Sequence, residues 1–384
     1  MKVLFISTAD YKYGAAKTQI DMIMALRDAY GVVPVVLTKK YNDLNKLCDE
    51  WGIENYSYWY RDIMSGSAYS NPILNMAKHM VKYLLYLRGG LTQRGILNCG
   101  IHWDEIDIIH SNHIRIDIGA YISRKTGIPH IWHIKELNQG HVKILHYKPH
   151  CYQYINRNAD RFIAVTKQVK QYWNRAGLDE NKLEVIYEGV DTAKFIPRKH
   201  RSDGKLKLVC VGRIEKSKGQ LHILQAMSEL PEEIRCNVML DLVGEPYPDY
   251  LRQLQAFIKS HQLEKQVRFL GYQSDIPKLL SNYDGGILAS RGDAFGTVVA
   301  EYMAAGLLAI STYTELASHM ETGLRYKFGD IAKLADNIRY AYENRDKAEE
   351  IAAKGRQEIC ANYSIERNAA EVYELYEKVL KNEK

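Results

Sequence analysis

Short β-branched runs alternate with longer amphipathic stretches along nearly the whole 384-residue chain, and this alternation constrains the fold more than any other feature. In the first half the runs are VLFIS (3–7), PVVLT (34–38), IDIIH (106–110), PHIWH (129–133) and RFIAV (161–165). Strands that are apolar on both sides need cover on both faces, which parallel sheets obtain from crossover helices. The alternation lapses over GVDTAKFIPRKHRSDGK (189–205), a polar stretch punctuated by Pro197 and Gly204, which reads as a linker. It restarts with LKLVCVG (206–212), VMLDLVG (238–244), QVRFLG (266–271), GGILAS (285–290) and LLAIST (307–312). The pattern predicts an α/β protein of two units, 1–190 and 205–362. A helical tail, 363–384, offers Ala370, Tyr373, Leu375, Tyr376 and Leu380 as a packing face and is expected to cross back to the first unit. Open α/β sheets place ligands beyond the C-terminal ends of their strands, so a cleft between two such edges is the expected site.

Composition narrows the class. A chain that is 46% hydrophobic and 26% charged is globular. The opening MKVLFISTAD reads as a strand rather than a leader, because its apolar run is short and meets Asp10 and Lys12. No stretch approaches the roughly 18 apolar residues that span a bilayer. Six scattered cysteines without CxxC spacing suggest reduced thiols and a cytoplasmic protein, and "HSNHIRID" and "HIWHIKE" lack the ligand pattern of a zinc helix, so neither a bound metal nor a cofactor is expected. The formal charge of +6 lies in the first half, where residues 1–190 carry 24 Lys and Arg against 18 Asp and Glu. That excess is too diffuse for a nucleic-acid footprint but compatible with an anionic membrane surface or a phosphorylated acceptor. Within it, NPILNMAKHMVKYLLYLRGG (71–90) carries Lys78, His79, Lys82 and Arg88 among apolar residues. It reads as a core-facing helix whose basic residues are its wet side; the alternative is peripheral membrane contact through 72–94, at the inner face of the membrane.

Three strand-to-helix turns hold the chemistry. In VGRIEKSKGQ (211–220), Arg213 and Lys218 stand at the mouth of a strand, where two cations can clamp a diphosphate. In STADYKYGAAKTQ (7–19), Gly14 would let backbone approach a phosphate. In RGDAFGTVVAEYMAAG (291–306), Asp293 lies in a loop and Glu301 about one and a half turns into a helix, so both acids can meet one ligand at different depths. An acid pair first suggests glycoside hydrolysis. Two acids from one loop-helix segment lie on the same side of a ligand, however, and nearby cations favour a phosphate-bearing one. Carboxylates also accept hydroxyls well, which suits the sugar and ribose of a sugar nucleotide.

DAFGTVVAEYMAAG resembles the EPFGxxxxEAMAxG motif of the retaining GT-B glycosyltransferases, specifically family 4 (glycosyl transferases group 1) of bacterial polysaccharide and glycolipid biosynthesis, with aspartate in the first acidic place. VGRIEKSKG, VRFLGYQSDIPKLLSNYD and EGVDTAKFIP resemble other segments of that family. The resemblance implies two Rossmann-like domains facing across a cleft and metal-free transfer from a UDP- or GDP-sugar to a glycan or lipid-linked acceptor. It further implies that Arg213 and Lys218 bind the diphosphate, Asp293 the sugar hydroxyls and Glu301 the ribose. Gly14, Tyr272, Phe295, Gly296 and Thr297 complete the donor-binding set, with Asp275 near the base. His133 matches the family's histidine near the anomeric centre, and Glu136 is placed to serve the acceptor. Glu315 departs from the family, since Thr312 and Tyr313 stand where two glycines usually precede it. A nucleotide-sugar epimerase or hydrolase, a phosphorylase, or a non-catalytic binding subunit on the same fold remain the alternatives.

Overall fold

The computed structural model describes residues 1–7, 14–67, 72–137, 143–197, 204–312 and 314–381, and the chain divides into Met1–Gly189 with Ile365–Lys384 as one unit and Val190–Ser364 as the other. Among the described residues of the first unit the strands are β1 Lys2–Ser7, β2 Val33–Thr38, β3 Glu54–Ser57, β4 Met64–Ser67, β5 Ile108–Ser111, β6 His130–Ile134, β7 Lys143–His146, β8 Arg161–Ala164 and β9 Leu183–Val185. One parallel sheet runs β3-β2-β1-β5-β6-β8-β9, and β4 pairs antiparallel with β7 apart from it. The predicted runs all form strands. The additional ones are short, and β3 (ENYS) and β9 (LEV) lie at the sheet edges, where one neighbour is missing and burial asks less of the sequence.

Alternation along the central strands divides the apolar side chains between two cores. Val3, Phe5, Ile108, Ile131 and Ile163 pack on one face, and Leu4, Ile6, Val35, Leu37 and Ile109 on the other. The first face is covered by the helices Gly14–Tyr30 and Ile365–Leu380. Ile365, Ala369, Val372, Tyr376 and Val379 form the buried stripe of the C-terminal helix, spaced at three and four residues. The face is therefore rotated from the one read in the sequence: Val372 and Ala369 lie inward, whereas Leu380 is exposed.

The helix Pro72–Thr92 overturns its core-facing reading. Leu74, Met76, Met80, Leu84 and Leu91 are 57–69% exposed. Only part of it is anchored: Tyr86 is buried with the Arg61 guanidinium 4.1 Å from its ring centroid, and a Cβ on Gly89 would lie 2.8 Å from Arg61 Cβ. Among the described residues no helix is long and apolar enough to cross a membrane.

The second unit holds β10 Leu206–Val211, β11 Val238–Val243, β12 Val267–Gly271, β13 Gly285–Leu288, β14 Leu308–Thr312 and β15 Leu324–Tyr326, in the parallel order β12-β11-β10-β13-β14-β15. Residues 190–197 stay with this unit: Val190 N–H donates to the Tyr363 carbonyl at 2.9 Å, and Phe195 is buried. In each sheet the chain first builds outward from a central strand and then returns to its other side. The neighbours β1/β5 and β10/β13 thereby become switch points, where successive loops diverge and leave room for a ligand.

Candidate active site

In the second unit the loops after β10 and β13 are held against each other by backbone. Arg291 N–H donates to the Ser217 carbonyl at 3.0 Å. Gly219, at φ +67°, passes so near β13 that a Cβ there would lie 2.1 Å from the Ala289 carbonyl oxygen. No L side chain fits that position, so glycine is what allows the helix Gln220–Glu229 to start beside the strand end. The buried Gln220 amide donates to the Arg213 carbonyl at 2.9 Å and fixes the loop from within.

This scaffold brings Lys218 to Asp293. Lys218 Nζ lies 3.2 and 3.1 Å from the two Asp293 oxygens, with both side chains about a quarter exposed. The cation read as a diphosphate ligand is thus already paired with the carboxylate read as a sugar ligand. A partly exposed pair of this kind is worth only about 0.2–1 kcal/mol, so an incoming dianion can recruit the ammonium cheaply. Arg213 points elsewhere: its guanidinium is 3.6 Å from Glu215 Oε1 and 3.4 Å from the Tyr247 hydroxyl. Ser217 Oγ donates to the same Glu215 oxygen at 2.6 Å.

Downstream of Asp293, Phe295 is buried with its ring 6.0 Å from that of Tyr363, so its side chain is part of the interior. Gly296, at φ +82°, precedes the helix Thr297–Ala304, and a Cβ on it would lie 2.9 Å from Thr314 Cγ2. Tyr302 fixes the rotation of this helix. Its ring covers Gly286, where a Cβ would come within 2.3 Å, and its hydroxyl accepts from Val211 N–H at 2.8 Å. Glu301, one residue earlier, is half-buried. The positive ends of two helices, the one from Gln220 and the one from Thr297, therefore sit beside Lys218 and Asp293, an arrangement suited to anions. Tyr272 follows Gly271 and is exposed, whereas the Asp275 carboxylate caps the helix Ile276–Leu280 by accepting from Lys278 N–H at 3.1 Å. Glu315 is half-buried beside the buried Thr314, and Tyr313 lies outside the described residues.

Gly14, His133 and Glu136 belong to the first unit. Gly14 opens the helix Gly14–Tyr30; the remainder of its turn, 8–13, lies outside the described residues. His133, in β6, is buried, and burial, with help from Lys135 and His110, holds its pKa well below that of an ordinary imidazole. It is neutral at physiological pH. Glu136 pairs through Oε1 with His113 Nδ1. Burial acts to raise its pKa, but His113 and Arg115 outweigh it and hold the carboxyl below the ordinary glutamate range. Between them Lys135 is held by two partners, 2.7 Å from Glu188 Oε1 and 2.9 Å from Thr18 Oγ1.

Residues 25–194 match the family described as Glycosyltransferase Family 4, and residues 192–358 match Glycosyl transferases group 1. The chain belongs to the family 4, group 1 glycosyltransferases. Its fold is GT-B. It is similar to N-acetyl-alpha-D-glucosaminyl L-malate synthase of Bacillus anthracis, at 22% identity over 73% of this chain and 77% of that one. Among solved structures it is similar to HepE of Anabaena in complex with UDP, with a TM-score of 0.77 and 22% identity over 98% of this chain and 100% of that one. It is also similar to S. aureus TarM in complex with fondaparinux, alpha-GlcNAc-glycerol and UDP, with a TM-score of 0.73 and 12% identity over 98% of this chain and 99% of that one.

The structure surrounds Arg213 with partners that its motif alone does not single out. Glu215 and Tyr247 hold Arg213, and only Glu215 carries a signal, since it lies inside VGRIEKSKG. Tyr247 comes from the loop after β11, which meets the β10 loop because β10 and β11 are neighbours; Tyr247 N–H donates to the Ile214 carbonyl at 3.0 Å. Gln220 looks like an ordinary helix residue until its amide is seen to tie the Arg213 backbone.

Proposed function

We propose that this glycosyltransferase moves a sugar from a UDP- or GDP-sugar to a hydroxyl of a glycan or lipid-linked saccharide, with retention of anomeric configuration. The observation that carries the reading is the Lys218–Asp293 pair, held at the β10/β13 switch point beside two helix N-termini. On this reading Lys218 and Arg213 offset the charge that builds on the departing diphosphate, where preorganised groups contribute most. Asp293 holds the hydroxyls of the transferred sugar, Glu301 the ribose, and Gly14 gives backbone access to the donor phosphate. Gly296 and Thr297 present the helix end to the donor, with Phe295 contributing through backbone and Tyr272 lying near the base. His133 contacts the reacting sugar, and Glu136 serves the acceptor. The acceptor hydroxyl attacks on the face that the diphosphate leaves, without a covalent glycosyl-enzyme. The crystal structures of HepE with UDP and with UDP-glucose support a uridine donor.

A panel of UDP- and GDP-sugars, assayed with and without lipid-linked acceptors and read by product NMR, tests this. Transfer with the donor's anomeric configuration kept is the expected result. A folded sample that neither binds UDP or GDP nor consumes any of these sugars would exclude a nucleotide-sugar donor, and an inverted product would exclude retention.

Peripheral membrane contact is supported by a separate observation. The helix Pro72–Thr92 exposes Leu74, Met76, Met80, Leu84 and Leu91, while residues 63–103 contain Lys78, Lys82, Arg88 and Arg94 and no carboxylate. An apolar face on a segment that carries four cations and no acidic side chain of its own is complementary to an anionic lipid surface. Each cation near such a surface contributes on the order of 1 kcal/mol, so replacing Lys82 and Arg88 together by Ala is expected to weaken binding to phosphatidylglycerol-containing vesicles by roughly thirtyfold. Sedimentation with these vesicles measures it. Unchanged binding would return the helix to a purely structural role.

A further inference from the structure

A chain of three buried rings crosses the first unit. Tyr376, in the C-terminal helix, places its hydroxyl 2.6 Å from His110 Nδ1, and His110 Nε2 lies 3.1 Å from His133 Nδ1. All three side chains are at most 1% exposed. The chain ends at His133 Nε2, a buried nitrogen without a hydrogen-bond partner among the described residues.

Two arrangements of hydrogens satisfy both links, and they differ in whether the phenolic O–H has an acceptor. The Tyr376 hydroxyl has a single hydrogen, and among the described residues His110 Nδ1 is its hydrogen-bond partner. If His110 donated to it instead, the phenolic O–H would be buried without an acceptor, which leaves its desolvation uncompensated. The phenol therefore donates. A neutral imidazole that accepts at Nδ1 carries its hydrogen on Nε2, so His110 in turn donates to His133 Nδ1. His133 accepts there and must hold its own hydrogen on Nε2. An additional proton is disfavoured on either ring, because burial and the nearby Lys135 ammonium push His110 down to about 3 and His133 well below its ordinary value.

We infer that Tyr376, acting through His110, sets the tautomer of His133, so that His133 presents an Nε2–H donor to an oxygen of the reacting sugar. The inference rests on the proposed contact between His133 and that sugar. In this tautomer His133 has no lone pair left for an acceptor hydroxyl, so it positions the sugar through a donated hydrogen bond and does not serve as the general base. Tyr376 and His110 are positioning residues, and the helix that brings Tyr376 home from 266 positions away becomes part of the site.

The full-length protein labelled with 15N-histidine tests this by long-range 1H–15N correlation, with His110→Gln and His133→Gln used for assignment. The wild-type spectrum should show both rings protonated at Nε2 and bare at Nδ1. Tyr376→Phe keeps the ring but removes the hydrogen that breaks the symmetry of the chain. Both imidazoles should then shift toward Nδ1-protonated forms, and turnover of the nucleotide sugar found active above should fall about tenfold, with affinity for the matching nucleoside diphosphate unchanged. A wild-type His133 protonated on Nδ1 overturns the inference, and this outcome is readable even if the Phe variant does not fold. So does an Nε2–H tautomer that persists in a folded Tyr376→Phe. The expected spectra together with full turnover in His133→Ala would confirm the tautomer and instead remove the reading of His133 as a sugar contact.

Discussion

Replacing Lys218 by Ala is expected to lower turnover at saturating donor by roughly 10²- to 10³-fold, the loss that follows removal of one preorganised group aimed at developing charge. Nucleotide affinity should fall as well, for a reason specific to this site. The ammonium is paired with both Asp293 oxygens, so its removal leaves an uncompensated carboxylate to repel an arriving dianion. The double variant Lys218→Ala/Asp293→Ala should therefore lose less nucleotide affinity than Lys218→Ala alone. A double-mutant cycle on UDP and GDP binding, run with single-turnover kinetics, separates the two contributions. Turnover of Lys218→Ala within threefold of wild type would mean that this lysine is only a surface partner of Asp293.

Much of this site could be read in the sequence because its parts are local. VGRIEKSKG carries Arg213 and Lys218, and DAFGTVVAE carries Asp293 and Glu301, each on one strand-loop-helix join. The ten strand runs were legible for the same reason, since a parallel strand buried on both faces needs no partner to announce itself. What could not be read is the contact between joins. That Lys218 meets Asp293 depends on β13 lying next to β10 and on Gly219 allowing their loops to touch, and neither is encoded within either motif. Tyr376 is more distant still. Its spacing marks it as a core residue, and it is one, but its hydroxyl acquires a role only once the C-terminal helix lies over β5 and β6. The helix Pro72–Thr92 failed in the opposite direction. Its apolar periodicity signals burial, yet the described structure leaves most of those side chains in solvent, because periodicity reports amphipathicity and not what covers the face.

Asp293→Ala and Glu301→Ala are expected to separate along different axes. Asp293 stands in the loop before the helix, and Glu301 is the fifth residue of Thr297–Ala304, so about 6 Å of helical rise divides them from the helix start onward. Tyr302 locks the rotation of that helix against Val211 and Gly286, so Glu301 cannot swing to take over from Asp293. If Glu301 holds the ribose, its loss should weaken UDP or GDP itself on the order of tenfold or more, the cost of a charge-assisted hydrogen bond of about 1.5–3 kcal/mol, while turnover at saturating donor stays close to wild type. If Asp293 holds the sugar, its loss should leave the nucleoside diphosphate bound, or tighten it slightly by removing a negative charge, while turnover drops about 10²-fold. Asp293→Glu then becomes informative, because the added methylene advances the carboxylate by a little over an ångström. A site built around the shorter acid should bind UDP normally yet turn over its own sugar poorly. Calorimetry with UDP and GDP, paired with turnover for all three variants, distinguishes the roles, and equal losses of nucleotide affinity in Asp293→Ala and Glu301→Ala would contradict them.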